Sequence, residues 1–130
     1  MKIEKTASQS ANFRRHDYYY NSARQGMFDL FRNMVAERMI DTVLLPGYIG
    51  WSPKEGSGIF DPLRNLEGLA VQYYKMTADL DIDWNDLSER IEGFGAGKFA
   101  VLVVNYFGFV DPRIREISSA IKEHSGWVVE

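Results

Sequence analysis

Residues 100–104 (AVLVV) are continuously apolar, and this run constrains the fold more than any other feature of the chain. A strand with one face in water alternates apolar and polar residues, whereas an unbroken apolar run is typical of a strand covered on both faces. Residues 42–45 (TVLL) and 69–74 (LAVQYY) are further β-prone runs, and residues 127–129 begin another. Strands of this kind indicate a parallel sheet enclosed by helices.

Segments with helical periodicity lie between these strands. Residues 22–38, the stretch after Asp83 and the stretch after Asp111 all place apolar residues at the spacing of one helix face. Aspartates often cap helix starts, and Pro112 suits a first helical position. The order helix, strand, loop or helix, strand, helix, strand, helix, strand predicts an α/β fold of three layers, αβα, with a mostly parallel sheet.

The first 20 residues have neither the helical nor the strand period, and we interpret them as an N-terminal arm. Within the arm, residues 13–20 (FRRHDYYY) combine aromatic and basic side chains. A chain of 130 residues has the length of one domain, and 45% hydrophobic with 14% aromatic residues is enough apolar material for a core. We assign the domain to residues 21–130.

Charge, cysteine content and hydropathy exclude several classes of function. The net charge of -3 leaves no excess of lysine and arginine for neutralising phosphates, so we expect no nucleic-acid partner. The chain has no cysteine for disulfides or thiolate metal sites, and its two histidines, His16 and His124, argue against a histidine-rich metal site. The longest apolar run, residues 99–104, is too short to cross a bilayer, so we expect a cytoplasmic protein with no membrane partner.

The turns after TVLL and AVLVV are the first candidate sites, because parallel sheets bind ligands at the carboxyl ends of their strands. The first turn, LLPGYIGWSP, carries Tyr48 and Trp51, whose rings either stack on a flat cofactor or pack beneath the loop. The second, VVNYFG, carries Asn105 and Tyr106, whose polar atoms either bind a ligand or satisfy the loop and core.

The start of the first helix, Asn21-Ser22-Ala23-Arg24, is a candidate site for an anion. Unpaired backbone N–H groups and the helix dipole attract negative charge at such a position. The hydroxyl of Ser22 either binds the anion or caps its own helix, because Gln25 follows at the spacing of a capping box.

Taken in order, these segments resemble the pyridoxal-phosphate-dependent sugar aminotransferases of the DegT/DnrJ/StrS type. The resemblance covers about residues 20–130 and rests on SARQGMFDLF, VLLPGYIGWSP, QYYKMTADLDIDWNDL and AVLVVNYFGF. In the matching places the family has a Ser-Gly-Arg or Gly-Thr helix start, a Leu-Pro-Ala-Tyr type of turn, a strand with an Asp-rich passage, and a Val-Val-His-Tyr-Phe-Gly strand.

The resemblance implies the N-terminal part of a fold-type-I transferase large domain, with pyridoxal phosphate as its cofactor. The cofactor phosphate would lie at the helix start, on Ser22, Ala23 and Arg24. The complete enzyme would be a cytoplasmic dimer or other homo-oligomer of nucleotide-sugar biosynthesis, moving an amino group from a donor such as glutamate to a keto-sugar.

The chain departs from the family's pattern at two of the implied contacts. The usual position of the aromatic ring that stacks on the cofactor, four residues after the proline, is Gly50, which leaves Tyr48 or Trp51 to cover the ring. Asn105 stands where family members usually have histidine, and it is retained as a cofactor-binding candidate.

Two catalytic groups of the family match no position among these 130 residues. They are the aspartate that pairs with the pyridinium nitrogen and the lysine that links to the cofactor. We therefore assign no catalytic residue, and we expect the chain by itself to be inactive, truncated before those groups. The alternative is a non-catalytic α/β module that binds a phosphorylated small molecule or a partner chain.

Overall fold

The computed structural model describes residues 20–95 and 97–130, in which three helices and four strands form an α/β domain. The elements follow the order that the sequence predicts, whereas the predicted N-terminal arm lies outside the described residues except for Tyr20. The elements are α1 (Ala23–Ala36), β1 (Thr42–Pro46), β2 (Ala70–Tyr74), α2 (Trp84–Phe94), β3 (Phe99–Leu102), a 3-10 turn (Tyr106–Gly108), α3 (Ile114–Glu123) and β4 (Trp127–Val129).

The four strands form one sheet in which every neighbouring pair is parallel, in the spatial order β2-β1-β3-β4. Thr42 of β1 lies beside Ala70 of β2 on one side and beside Phe99 of β3 on the other. The predicted parallel sheet is therefore confirmed, and the two most apolar strands occupy its centre.

Alternate residues of the central strands enter two separate apolar layers. Val43 and Ala100 pack with residues of α1, whereas Leu44 and Val101 pack with residues of α2 and α3. Helices consequently cover both faces of the sheet, which is compatible with the predicted αβα layering.

The start of α3 differs from the prediction that Asp111 caps it. The helix begins at Ile114, and Asp111 is buried, with its carboxylate accepting the N–H groups of Ile82 at 2.9 Å and Arg113 at 2.8 Å. Burial of a carboxylate requires hydrogen-bond donors, and those of two separate loops supply them. Asp111 thus joins the loop before α2 to the loop before α3.

The connections that follow β1 and β3 lie on opposite faces of the sheet. The connection between β1 and β2 contributes Leu63 to the layer of α1, whereas α3 follows β3 on the other face and contributes Ile117 to that layer. Such a divergence opens a crevice at the carboxyl ends of the two strands, where open α/β sheets bind ligands. A ligand site is therefore expected at this edge of the sheet.

Asp86 joins α2 to the end of β2 by hydrogen bonds. Its carboxylate accepts the Arg90 Nε–H at 2.7 Å and the backbone N–H of Lys75 at 2.9 Å. Of the contacts that lower the pKa of Asp86 to about 2, the hydrogen bond from Arg90 is the strongest. An aspartate in an unfolded chain has a pKa of about 3.9. The contact therefore stabilises the fold above that pH, and this stabilisation is lost as the pH falls toward about 2.

We expect Asp86→Asn to lower the free energy of unfolding by about 1 kcal/mol at pH 7, and by less at pH 3, because the pH then lies below the pKa of this aspartate in the unfolded chain and part of the stabilisation is lost. Thermal unfolding followed by circular dichroism at the two pH values measures the difference. Asp79→Asn, at an exposed position before α2, is the matched control. An equal loss for Asp86→Asn at both pH values would contradict the assigned role of its charge.

Candidate functional site

The turn after β1 and the 3-10 turn after β3 meet across the crevice. The rings of Tyr48 and Tyr106 pack edge to face with centroids 5.6 Å apart, and the Tyr106 hydroxyl donates to the Tyr48 carbonyl oxygen. Burial, and to a lesser degree the neighbouring Tyr48, raises the pKa of Tyr106, so its phenol remains a neutral donor. The two segments that the sequence brings to this edge are therefore directly joined.

Large aromatic side chains on these two turns are exposed to solvent. The exposed fraction is 56% for Tyr48, 66% for Trp51, 85% for Phe107 and 79% for Phe109. Phe107 has a φ of 55°, in the left-handed region that residues with a side chain rarely adopt. The rings of Tyr48 and Trp51 are thus available for contact with another molecule.

A cleft of about 480 Å³ lies on the α1 side of the sheet, at the carboxyl ends of β3 and β4. The first turns of α1 form one wall, the ends of the two strands form the other, and Ile59 of the β1–β2 connection closes one side. The lining is mostly apolar, with polar groups where the strands end. Ala23, Gly26 and Met27 contribute from α1, and Val104, Asn105 and Glu130 from the strand ends.

Asn105 supplies the polar centre of this cleft. Its Nδ2 donates to the Glu130 carboxylate, whereas its Oδ1 is buried and has no hydrogen-bond partner among the described residues. Leaving a buried acceptor unpaired costs about 1–3 kcal/mol. The residue that carries this unpaired acceptor also lines the cleft.

The start of α1 places backbone N–H groups beside the cleft. The Ser22 hydroxyl accepts the Gln25 N–H at 3.2 Å, so it caps its own helix. The capping box is half formed, because the Gln25 side chain donates to Asp29 instead of returning to Ser22. The N–H groups of Ala23 and Arg24 have no partner within the part of the chain that the structure describes, and the helix dipole favours an anion there.

The six predicted site residues do not all line one cavity. Ala23 and Asn105 share the cleft. Ser22 and Arg24 line a neighbouring polar recess, and the Arg24 guanidinium donates to the Glu55 carbonyl oxygen at 3.1 Å. The two aromatic candidates on the turn after β1 are not among the residues that line the cleft.

Gly26, Met27 and Glu130 line the cleft without having been predicted as site residues. Helical spacing could have indicated Gly26 and Met27, because they lie about one turn after the predicted site residue Ala23. No local sequence pattern indicated Glu130, since it reaches the cleft through the parallel pairing of β4 with β3.

Some other kinds of site do not occur in residues 20–95 and 97–130. No group of three or more histidine, cysteine, aspartate or glutamate residues is arranged to bind a metal ion there. Nor is any helix in these ranges long and apolar enough to cross a membrane. No lysine is found among the residues that line the cleft. No protein-family model matches the chain, and no curated protein or solved structure matches it.

Tyr106→Phe removes the hydroxyl that joins the two turns and keeps the ring against Tyr48. We expect amide exchange in residues 47–51 to become several-fold faster, because a hydrogen bond worth about 1 kcal/mol is lost. Hydrogen–deuterium exchange with mass spectrometry measures this. Tyr73→Phe is the matched control, since the Tyr73 hydroxyl has no hydrogen-bond partner among the described residues. Unchanged exchange in Tyr106→Phe would refute the joining role.

Proposed function

We propose that this chain is the N-terminal part of the large domain of a pyridoxal-phosphate-dependent aminotransferase of the DegT/DnrJ/StrS type. The complete enzyme transfers an amino group from a donor such as glutamate to a nucleotide-linked keto-sugar. The observation that carries the proposal is the position of the α1 start, which shares a cleft with Asn105 at the carboxyl ends of the strands. The resemblance implies that position for the cofactor phosphate, and the parallel sheet with helices on both faces is consistent with it.

The size of the cleft and the position of its polar groups support the assignment of the cofactor. A volume of about 480 Å³ suits a small ligand. The N–H groups of Ala23 and Arg24 would hold the phosphate, and the unpaired Oδ1 of Asn105 would accept a hydrogen bond from the bound molecule. The apolar side chains of Met27 and Ile59 line the same cleft and suit a flat ring.

When bound, pyridoxal phosphate supplies the electron sink that transamination requires. The residues of this chain would bind and orient it and would exclude water, and Tyr48 or Trp51 would shield its ring from the turn after β1. We assign no catalytic residue here, because no lysine lines the cleft. The linking lysine and the aspartate partner of the pyridinium nitrogen would come from outside these residues, so the chain alone would be inactive. The complete enzyme would be a cytoplasmic homo-oligomer.

The exposed aromatic side chains favour a second candidate function. Exposed apolar groups that cluster on a surface mark binding sites, and Trp51, Phe107 and Phe109 are each more than half exposed on the two turns. A non-catalytic α/β module would use the helix start for a phosphorylated small molecule, or these turns for a partner chain. The two candidates differ in whether the helix start requires the pyridoxal ring in addition to a phosphate.

Ala23→Asp tests the helix start. The new carboxylate repels a phosphate and competes for the free N–H groups, yet its charge suits the helix dipole, so the fold should remain as stable as in the wild type. We expect the wild-type chain to bind pyridoxal 5′-phosphate and Ala23→Asp to weaken binding at least tenfold, measured by isothermal titration calorimetry. Asn85→Asp adds the same charge at an exposed position near the start of α2 and should retain wild-type affinity.

Two further ligands separate the candidate functions. Pyridoxal without the phosphate, and inorganic phosphate alone, should each bind more weakly than the complete cofactor. If inorganic phosphate binds as tightly as the cofactor, the helix start is a general phosphate site and the non-catalytic candidate is favoured. If none of the three ligands binds, the cofactor site is refuted.

A further inference from the structure

The two strand pairs that contain β1 end at different places. β1 pairs with β2 as far as Pro46, which lies beside Tyr74, whereas it pairs with β3 only as far as Leu44, which lies beside Val101. β1 therefore separates from β3 two residues before it separates from β2. The turns after β1 and β3 begin at this separation.

Pro46 accounts for the early end of the pairing with β3. The Thr42 N–H donates to the Lys98 carbonyl oxygen at 3.3 Å, so Thr42 and every second residue after it in β1 direct their nitrogen atoms toward β3. In the register of this pair, the nitrogen of residue 46 corresponds to the carbonyl oxygen of Leu102. Proline has no N–H group to donate, so this hydrogen bond of the ladder cannot form.

The Leu102 carbonyl group faces the separation and is buried. The next N–H group in the chain, that of Val103, donates to the Val129 carbonyl oxygen of β4 at 2.8 Å, so by alternation the backbone groups of Leu102 point to β1. Leu102 is only 3% exposed. A buried carbonyl oxygen requires a donor, and the proline withholds the one that the ladder would otherwise supply.

Tyr74 supplies a donor from the neighbouring strand β2. Its hydroxyl donates to the Leu102 carbonyl oxygen at 2.9 Å, and burial raises the pKa of this tyrosine, so the phenol stays protonated. The backbone carbonyl oxygen of Tyr74 also accepts the Gly47 N–H at 2.7 Å. Tyr74 therefore contacts both the end of β3 and the first residue of the turn after β1.

We propose that Tyr74 is a positioning residue of the cleft: its hydroxyl takes the ladder position that Pro46 leaves vacant and thereby fixes the place of Asn105. The hydroxyl holds Leu102 without drawing it to β1. Asn105 follows Leu102 by three residues and lines the cleft, and Tyr106, the next residue, joins the turn after β1. The inference rests on the proposed function only in the choice of pyridoxal 5′-phosphate as the ligand, because the hydrogen bonds that carry it involve no ligand.

A double-mutant cycle tests whether the hydroxyl replaces the missing N–H. Tyr74→Phe leaves the Leu102 carbonyl oxygen unpaired, and we expect the midpoint of thermal unfolding to fall by about 5 °C. In a Pro46→Ala background a backbone N–H is available to that oxygen, so the same substitution should lower the midpoint by less than half as much.

Tyr73→Phe is the matched control in both backgrounds, because the Tyr73 hydroxyl has no hydrogen-bond partner among the described residues. We expect it to leave the midpoint nearly unchanged. Equal losses from Tyr74→Phe with and without Pro46→Ala would overturn the proposed replacement of the N–H by the hydroxyl.

The side-chain amide signal of Asn105 in a nitrogen–proton correlation spectrum reports the position of this residue without a ligand. We expect the signal to shift in Tyr74→Phe, and to remain displaced when Pro46→Ala is added, because the new N–H draws Leu102 toward β1. If the hydroxyl only stabilised the fold, the signal would return together with the thermal midpoint. That result, or a signal unchanged by Tyr74→Phe, would overturn the positioning role.

Isothermal titration calorimetry with pyridoxal 5′-phosphate connects this position with ligand binding. At a temperature where all variants are folded, we expect Tyr74→Phe to weaken binding at least fivefold, Pro46→Ala not to restore it, and Tyr73→Phe to bind like the wild type. Unchanged affinity in Tyr74→Phe would overturn the positioning role and leave the proposed function intact. If the wild-type chain does not bind the ligand, the proposed function fails, and the thermal cycle and the Asn105 signal still decide the role of Tyr74.

Discussion

Burial of β1 and β3 between two helical layers is the constraint on which the other features depend. Every residue of Thr42–Pro46 and of Phe99–Leu102 is buried. Removing a valine or leucine side chain from water contributes about 1.5–3 kcal/mol, so these two strands provide much of the driving force for folding. Parallel strands cannot be joined by hairpins, and the crossover segments that join them also cover the sheet.

The same constraint explains why polar groups gather at the strand ends. A polar atom inside the sheet needs an internal partner, and the Tyr74 hydroxyl donates to the Leu102 carbonyl oxygen at 2.9 Å. Burial raises the pKa of Tyr74 well above its usual range, and the charges of Tyr106 and Asp111 raise it further. Asn105, just beyond the end of β3, departs from this rule, because its buried Oδ1 has no hydrogen-bond partner among the described residues.

Uneven coverage of the sheet connects the cleft with an apolar groove between α1 and β4, which is lined by residues that include Leu30, Met34 and Trp127. α2 and α3 lie on one face, whereas α1 on the other face leaves the neighbouring side of β4 partly open. Leu30 lines both the cleft and the groove, so a molecule or segment in one of them borders the other. The helix start and the open side of β4 therefore lie at opposite ends of the same exposed side of α1.

Local patterns in the sequence were sufficient for the type and order of the elements, because strand and helix periods are properties of neighbouring residues. The apolar run before Asn105 predicted a strand covered on both faces, and the spacing of Ser22 and Gln25 predicted the cap that the structure contains. Tertiary structure decided which distant residues meet. Ala23 shares a cleft with Asn105, whereas Asp111 binds Ile82 rather than capping α3. Such contacts depend on strand order and register, which arise from packing across the whole sheet and leave no local periodic signal.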